Sequence, residues 1–143
     1  MVHTLYRAIT GRAQQFRRLL PSARSVQQRR LSSILAANAS CEYGLRYDFR
    51  GIADVDTYRA RVPIVCYEDL AGAISRMAAG EHDVLLSGPI IAFEETGGSV
   101  AGPKLLPYNE ALLRAFRRAL LAWLDDLATT HPAVAAGSAY WAI

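Results

Sequence analysis

The residues best suited to chemistry lie in one stretch, from Pro89 to Pro107, which reads PIIAFEETGGSVAGPKLLP. An apolar run and two glutamates lead into a loop of glycine, serine and threonine, which ends on Lys104, the only lysine of the protein. Glycines let backbone N–H groups point into one concavity, hydroxyl groups add donors, and an ammonium neutralises phosphate charge. The stretch therefore favours a polyphosphate-binding loop between two strands.

The spacing of the loop leaves an alternative open. Gly97 and Gly102 imitate the first part of a P-loop, but Pro103 then separates Gly102 from Lys104. Leu105 follows the lysine, where a P-loop has a hydroxyl for magnesium, so we reject the P-loop. A solvent-exposed hairpin loop with a surface lysine remains possible, because glycine and serine are common in turns.

Other reactive side chains form no recognisable constellation. Glu94 and Glu95 could orient an amine or a metal ion, but neighbours on a strand point to opposite faces, so at most one of them faces the loop. No Ser–His–Asp or Cys–His arrangement can be argued for the three histidines, which lie far apart at His3, His82 and His131. We predict no metal ligands and name no catalytic residue.

Composition points to one domain in a reducing compartment. The chain has 143 residues, of which 52% are hydrophobic, and no run approaches the roughly 20 apolar residues of a membrane span. Cys41 and Cys66 are far apart and show no metal-binding spacing. We therefore expect a cytoplasmic protein without a disulfide framework.

The first thirty residues are rich in arginine, and no acid occurs before Glu42. Such a start is typical of an organelle transit peptide, of a basic helix that binds nucleic acid or anionic lipid, or of a solvated helical face. The apolar residues keep the spacing of a helix that faces a core, which favours the solvated face: Leu5, Ile9, Ala13, Phe16 and Leu20.

Further helices should flank the loop. Tyr67 opens a helix that runs to about Ala79 and ends at Gly80, and Ile74 and Met77 are its expected buried residues.

After the loop, Asn109 is a candidate N-cap for a long helix to about Thr129. Its apolar stripe includes Trp123, which we expect in the core rather than on a cofactor. We also expect aromatic residues before the loop to fill a core: Tyr43, Tyr47 and Phe49.

Five groups of residues occur in an order that resembles the order of motifs in a known family. They are Gln28…Leu31…Ile34-Leu35…Asn38, Glu42-Tyr43-Gly44, Val62-Pro63-Ile64…Tyr67-Glu68-Asp69, Gly80-Glu81, and Phe93…Thr96-Gly97-Gly98-Ser99…Lys104-Leu105-Leu106-Pro107-Tyr108. They resemble the auxin-responsive promoter family of acyl-acid amido synthetases, and the closing Gly137…Ala139-Tyr140-Trp141 resembles its bacterial branch. The resemblance covers about residues 26–143.

The resemblance implies an α/β fold, the N-terminal part of the large domain of an adenylate-forming enzyme (acyl-CoA synthetase and luciferase-like). It implies helices at the start, short strands around the phosphate loop and one long helix near the end. Residues 1–143 would be an incomplete N-terminal subdomain, with residues 1–25 as a basic helical lead-in. The segments for adenine, ribose and magnesium would follow Ile143, so this chain alone would be inactive.

The implied activity is an ATP-dependent ligation. A carboxylic acid is activated as an acyl-adenylate, and the amine of an amino acid then displaces AMP. ATP and Mg²⁺ are the implied cofactors, the partners are small molecules, and neither a membrane nor nucleic acid is expected. The alternatives are a non-enzymatic basic helical module that binds nucleic acid, and a truncated inactive remnant.

By position, five residues match the phosphate-binding loop of the family: Thr96, Gly97, Gly98, Ser99 and Lys104. The sequence departs from the family at Gly98, where a second hydroxyl is usual, and at Ala101, where a glycine is usual. The loss of a hydroxyl would remove one phosphate donor.

Overall fold

The computed structural model describes residues 10–97 and 103–135. The chain divides into two compact units, one of Met1–Ala23 with Arg114–Ile143 and one of Arg24–Leu113. The described elements are, in order, α1 Arg12–Leu19, a 3₁₀ turn Leu20–Ser22, α2 Ala23–Ala37, α3 Glu42–Arg46, a 3₁₀ turn Phe49–Gly51, α4 Val55–Arg61, α5 Tyr67–Ala78, β1 Ile90–Thr96, β2 Lys104–Asn109, α6 Glu110–Thr130 and α7 Pro132–Ala135.

In the first unit, a buried carboxylate holds the start of α1. Gly11, the N-cap residue of α1, has a φ of 86° and no capping side chain. Asp125 of α6 is 5% exposed and accepts a hydrogen bond of 2.8 Å from the Ala13 N–H. Arg17 pairs with Asp126 beside it. A residue far along the chain thus satisfies one of the amide groups that a helix start leaves unpaired.

The apolar faces of α1 and α6 are less buried than the spacing predicted. Phe16 is 58% exposed, Leu20 is 55% exposed and Trp123 is 56% exposed, so the prediction that Trp123 lies in the core was wrong. Among the described residues of α1, only Ala13 is buried. The two helices line an open groove here, because two helices bury only the stripe along which they face each other.

The second unit contains a compact apolar cluster, and it confirms the prediction for the aromatic residues. The Tyr43 ring lies 4.7 Å from that of Tyr47 and 6.1 Å from that of Phe49, centroid to centroid. Both tyrosines pack against buried residues that lie in, or just after, α2, the second 3₁₀ turn and α4, namely Leu35, Ala39, Phe49, Ile52 and Val62.

The first N–H groups of α3 donate hydrogen bonds to residues outside the helix. The Glu42 and Tyr43 N–H groups donate to the carbonyls of Asp83 and Val84, at 2.8 and 3.0 Å. The Gly44 N–H donates to the Sγ atom of Cys41, the N-cap, at 3.3 Å. Residues 83–84 supply these acceptors from a segment that is neither helix nor strand.

The elements around the predicted loop are confirmed. β1 and β2 form an antiparallel hairpin in which Thr96 stands opposite Lys104. In α5, Ile74 and Met77 are 4% and 3% exposed. The Oδ1 atom of Asn109 accepts a 2.9 Å hydrogen bond from the N–H of Leu112, which is the predicted cap of α6.

An arginine of α5 links three segments of the second unit. Arg76 donates to the Glu42 carboxylate at the start of α3, at 2.7 Å, and to the Glu81 carboxylate just after α5, at 2.7 Å. These hydrogen bonds lower the pKa of both carboxyl groups from an ordinary value of 4.5.

The close fit at Gly44 predicts a large loss of stability on substitution. A Cβ atom there would overlap the carbonyl oxygen of Asn38 and lie 3.2 Å from the Cα atom of Ala39. We expect Gly44→Ala to lower the free energy of unfolding by roughly 2–3 kcal/mol. The matched control is Gly72→Ala, since a Cβ at Gly72 in α5 meets nothing within 4 Å. This control should raise the free energy of unfolding by about 0.5–1 kcal/mol. Urea unfolding measures both, and equal stabilities would contradict the packing at Gly44.

The Arg76 network predicts a pH dependence. Because the pKa values of Glu42 and Glu81 are lowered in the folded state, these carboxylates stabilise the fold above about pH 4.5. That stabilisation is lost as the pH falls through the lowered pKa values. We expect Arg76→Gln to raise both pKa values and to flatten the acid limb of stability against pH. ¹³C carboxyl titration and urea unfolding measure these effects. Arg59→Gln, in the last turn of α4, is the charge-matched control and should leave both pKa values in place.

Candidate functional site

The open end of the hairpin brings together three of the five predicted phosphate-binding residues. Thr96 closes β1 and lies directly opposite Lys104, the first residue of β2, so both side chains leave the same face. Gly97 follows Thr96, is exposed, and has open space where a Cβ would stand. Gly98 and Ser99 lie outside the described residues, so their predicted role stays a prediction.

The register also separates the two glutamates of β1. Glu94 lies two residues before Thr96 and therefore shares its face, whereas Glu95 points to the other face. A hydrogen bond with Glu94 raises the pKa of Tyr108, and desolvation adds to this shift. Glu94 thus has a tyrosine partner on the face that carries Lys104.

Lys104 is held by the start of α5. Its Nζ atom lies 3.6 Å from Oε1 of Glu68 and 5.0 Å from the centroid of the Tyr67 ring. The Tyr67 hydroxyl accepts a 3.0 Å hydrogen bond from the N–H of Leu105. Sequence reasoning used Tyr67 and Glu68 only as a helix start and as part of a family motif. Nothing in their spacing pointed to a lysine more than thirty residues away.

The first turn of α5 contains two acidic residues, Glu68 and Asp69, and is joined by hydrogen bonds to its N-cap residue, Cys66. The Asp69 carboxylate accepts from both the thiol and the N–H of Cys66, at 3.0 and 2.9 Å, which lowers the pKa of Asp69. The hydrogen bond to Asp69 also raises the pKa of the Cys66 thiol. The pKa of Glu68 is lowered by its own backbone N–H first, then by the Cys66 thiol and the charge of Lys104. Glu68 is therefore an anion at neutral pH and balances the lysine.

This arrangement leaves an ammonium accessible at the open end of the hairpin. Lys104 has a side chain 39% exposed, beside the open space at Gly97, so its ammonium is accessible to an anion. Within residues 10–97 and 103–135, no group of three or more His, Cys, Asp or Glu side chains could hold a metal ion. In the same ranges, no helix has the length and apolar character needed to cross a membrane.

The chain matches the GH3 family N-terminal domain over residues 12–141. The matched span includes the arginine-rich helix α1 and the whole hairpin.

Several plant enzymes are similar in sequence. The chain is 41% identical over 88 residues to a probable indole-3-acetic acid-amido synthetase, GH3.1, of Arabidopsis thaliana, covering 60% of this chain and 15% of that protein. It is 42% identical over 88 residues to the probable synthetase GH3.2 of Oryza sativa subsp. japonica, covering 60% of this chain and 14% of that protein. The chain thus spans about one seventh of the length of these curated relatives.

Solved structures agree with the sequence comparison. The fold superposes on GH3.15 acyl acid amido synthetase with a TM-score of 0.68 and 28% identity, covering 78% of this chain and 20% of that one. A complex of AtGH3.15 with 2,4-DB gives a TM-score of 0.65 and 27% identity, covering 90% of this chain and 21% of that one. Because the family domain matches nearly the whole chain and the fold agrees, the protein belongs to the GH3 family of acyl acid amido synthetases, of whose fold it forms the N-terminal part.

Proposed function

We infer that this chain is the phosphate-binding part of an ATP-dependent acyl acid amido synthetase. The observation that carries the proposal is the position of Lys104, the only lysine, which stands opposite Thr96 where the hairpin opens into the glycine loop. Membership of the family supports this proposal, because relatives are named indole-3-acetic acid-amido synthetase and acyl acid amido synthetase.

Each loop residue has a physical task in this proposal. The Thr96 and Ser99 hydroxyls and the N–H groups of Gly97 and Gly98 donate hydrogen bonds to phosphate oxygens. The Lys104 ammonium offsets the charge of the triphosphate and then of the departing pyrophosphate. Holding the triphosphate in one orientation also lowers the entropic cost of the attack on it.

The reaction has two steps. A carboxylate oxygen of the acid bonds to the α-phosphorus of ATP, and the bond from that phosphorus to the bridging oxygen of pyrophosphate breaks. The nitrogen of an amino acid then bonds to the acyl carbon, and the bond from that carbon to the oxygen it shares with the phosphate breaks. AMP leaves with this oxygen and the electron pair, and the new amide nitrogen loses a proton. Lys104 acts in the first step, where negative charge builds up on the pyrophosphate.

We place the remaining parts of the site outside this chain. Residues 1–143 then form an incomplete N-terminal subdomain, with residues 1–25 as its basic lead-in, and the segments that hold adenine, ribose and magnesium follow Ile143. The enzyme is assigned to the cytoplasm, and its free cysteines, buried Cys41 and exposed Cys66, agree with a reducing compartment.

The proposal predicts that Lys104 dominates phosphate affinity. Lys104→Ala in the 143-residue chain should weaken ATP binding roughly tenfold to a hundredfold, because one charge-assisted contact is lost. Lys104→Arg keeps the positive charge and should weaken ATP binding less than Lys104→Ala does. Isothermal titration calorimetry at low salt measures both. Equal affinities for the wild type and Lys104→Ala would contradict the assignment of the loop.

The complete reaction predicts an exchange activity in the longer protein. We expect a longer polypeptide, in which this chain is followed by the rest of the family fold, to exchange labelled pyrophosphate into ATP only when a carboxylic acid is present. Lys104→Ala in that polypeptide should reduce the exchange rate. If the wild-type protein exchanges no pyrophosphate into ATP with any of a panel of aryl and alkyl carboxylic acids, the proposal of acid activation is wrong.

A further inference from the structure

The start of α5 and the start of β2 are joined by three contacts, of which two reach the Lys104 ammonium and one reaches the backbone of Leu105. Tyr67 contributes two of them, since its ring lies 5.0 Å from the Lys104 Nζ atom and its hydroxyl accepts the N–H of Leu105 at 3.0 Å. Glu68 contributes the third, an ion pair of 3.6 Å with the same ammonium. One side chain therefore fixes both the amine of the lysine and the backbone that carries it.

We propose that Tyr67 is a positioning residue for Lys104 and that Glu68 is the counter-ion that phosphate displaces, an inference that rests on the proposed function. The face of an aromatic ring attracts an ammonium, so Tyr67 keeps the lysine near the mouth of the loop before phosphate arrives. The Glu68 carboxylate neutralises that ammonium in the meantime. An incoming phosphate oxygen must compete with this carboxylate and is also repelled by it.

The two neighbours therefore have opposite effects on phosphate affinity. Loss of the Tyr67 ring frees the lysine side chain and costs affinity, because the flexible four-carbon stem must then be ordered on binding. Loss of the Glu68 charge raises affinity, because it removes both a competitor and a repulsive charge. A purely structural role for this helix start would instead weaken binding in both cases.

The start of α5 is anchored well enough for this task. The capping box between Cys66 and Asp69 fixes the first turn, and Ile74 and Met77 are buried nearer the other end of the helix. Tyr67 and Glu68 thus project from a helix whose position does not depend on the lysine. Glu68 also interacts with the Cys66 thiol, but the hydrogen bonds from Cys66 to Asp69 and the burial of Ile74 and Met77 do not involve Tyr67 or Glu68.

A single lysine makes the contact directly visible by NMR. In chain labelled with ¹³C-lysine, the ε-CH₂ signal comes from Lys104 alone. We expect it to be shifted upfield by the Tyr67 ring in the wild type and in Tyr67→Phe, and to return to the position of free lysine in Tyr67→Leu. An unshifted wild-type signal, or one that Tyr67→Leu leaves unchanged, would overturn the positioning role without any reference to phosphate.

Titration with inorganic tripolyphosphate tests the second half of the proposal. We expect Tyr67→Leu to bind about two- to fivefold more weakly than the wild type. Glu68→Gln should bind severalfold more tightly. The control Asp56→Asn removes one charge from the first turn of α4 and should leave affinity unchanged. Weaker or equal binding by Glu68→Gln would overturn the role of the counter-ion.

The outcomes distinguish this inference from the function on which it rests. If Lys104→Ala binds tripolyphosphate as well as the wild type does, the phosphate-binding function fails, and the counter-ion role fails with it. If Lys104→Ala binds more weakly but the Tyr67 and Glu68 variants match the wild type, the function stands and the positioning inference falls.

Discussion

The pairing of Thr96 with Lys104 is the constraint on which the candidate site depends. In an antiparallel hairpin, residues that stand directly opposite each other present their side chains on the same face, so this pair places a hydroxyl and an ammonium together at the mouth of the loop. A shift of the register by one residue would turn every side chain of one strand to the other face. The site then would offer Leu105 in place of the lysine.

The helix that follows the irregular segment at residues 62–66 gives this hairpin its support. α5 is fixed at its start by the capping box between Cys66 and Asp69 and at its end by the pairs from Arg76 to Glu42 and Glu81. It also buries Ile74 and Met77. Such a helix supplies Tyr67 as a rigid neighbour for β2, whereas an exposed lysine at a loop end would otherwise sample many rotamers.

The groove between α1 and α6 differs from this supported region. Its side chains Phe16, Leu20 and Trp123 remain more than half exposed, although the buried carboxylate of Asp125 caps α1. Stability in the first unit thus depends on a polar cap and an ion pair as well as on apolar burial. In the second unit the apolar cluster around Leu35 and Phe49 carries more of that role.

Local patterns in the sequence determined the elements and their ends. Helical spacing, the acids after Cys66, Gly80 and the Asn109 cap act over a few residues, so α5, the hairpin and α6 could be predicted. The family motifs pointed correctly to the GH3 family. Burial was harder to predict, because the spacing that places Trp123 on an apolar face does not indicate which residues cover that face. Only the tertiary structure decided that Tyr67 and Glu68 meet Lys104 and that Asp125 meets Ala13. These contacts join residues far apart in the chain, and no local periodicity encodes a distance between them.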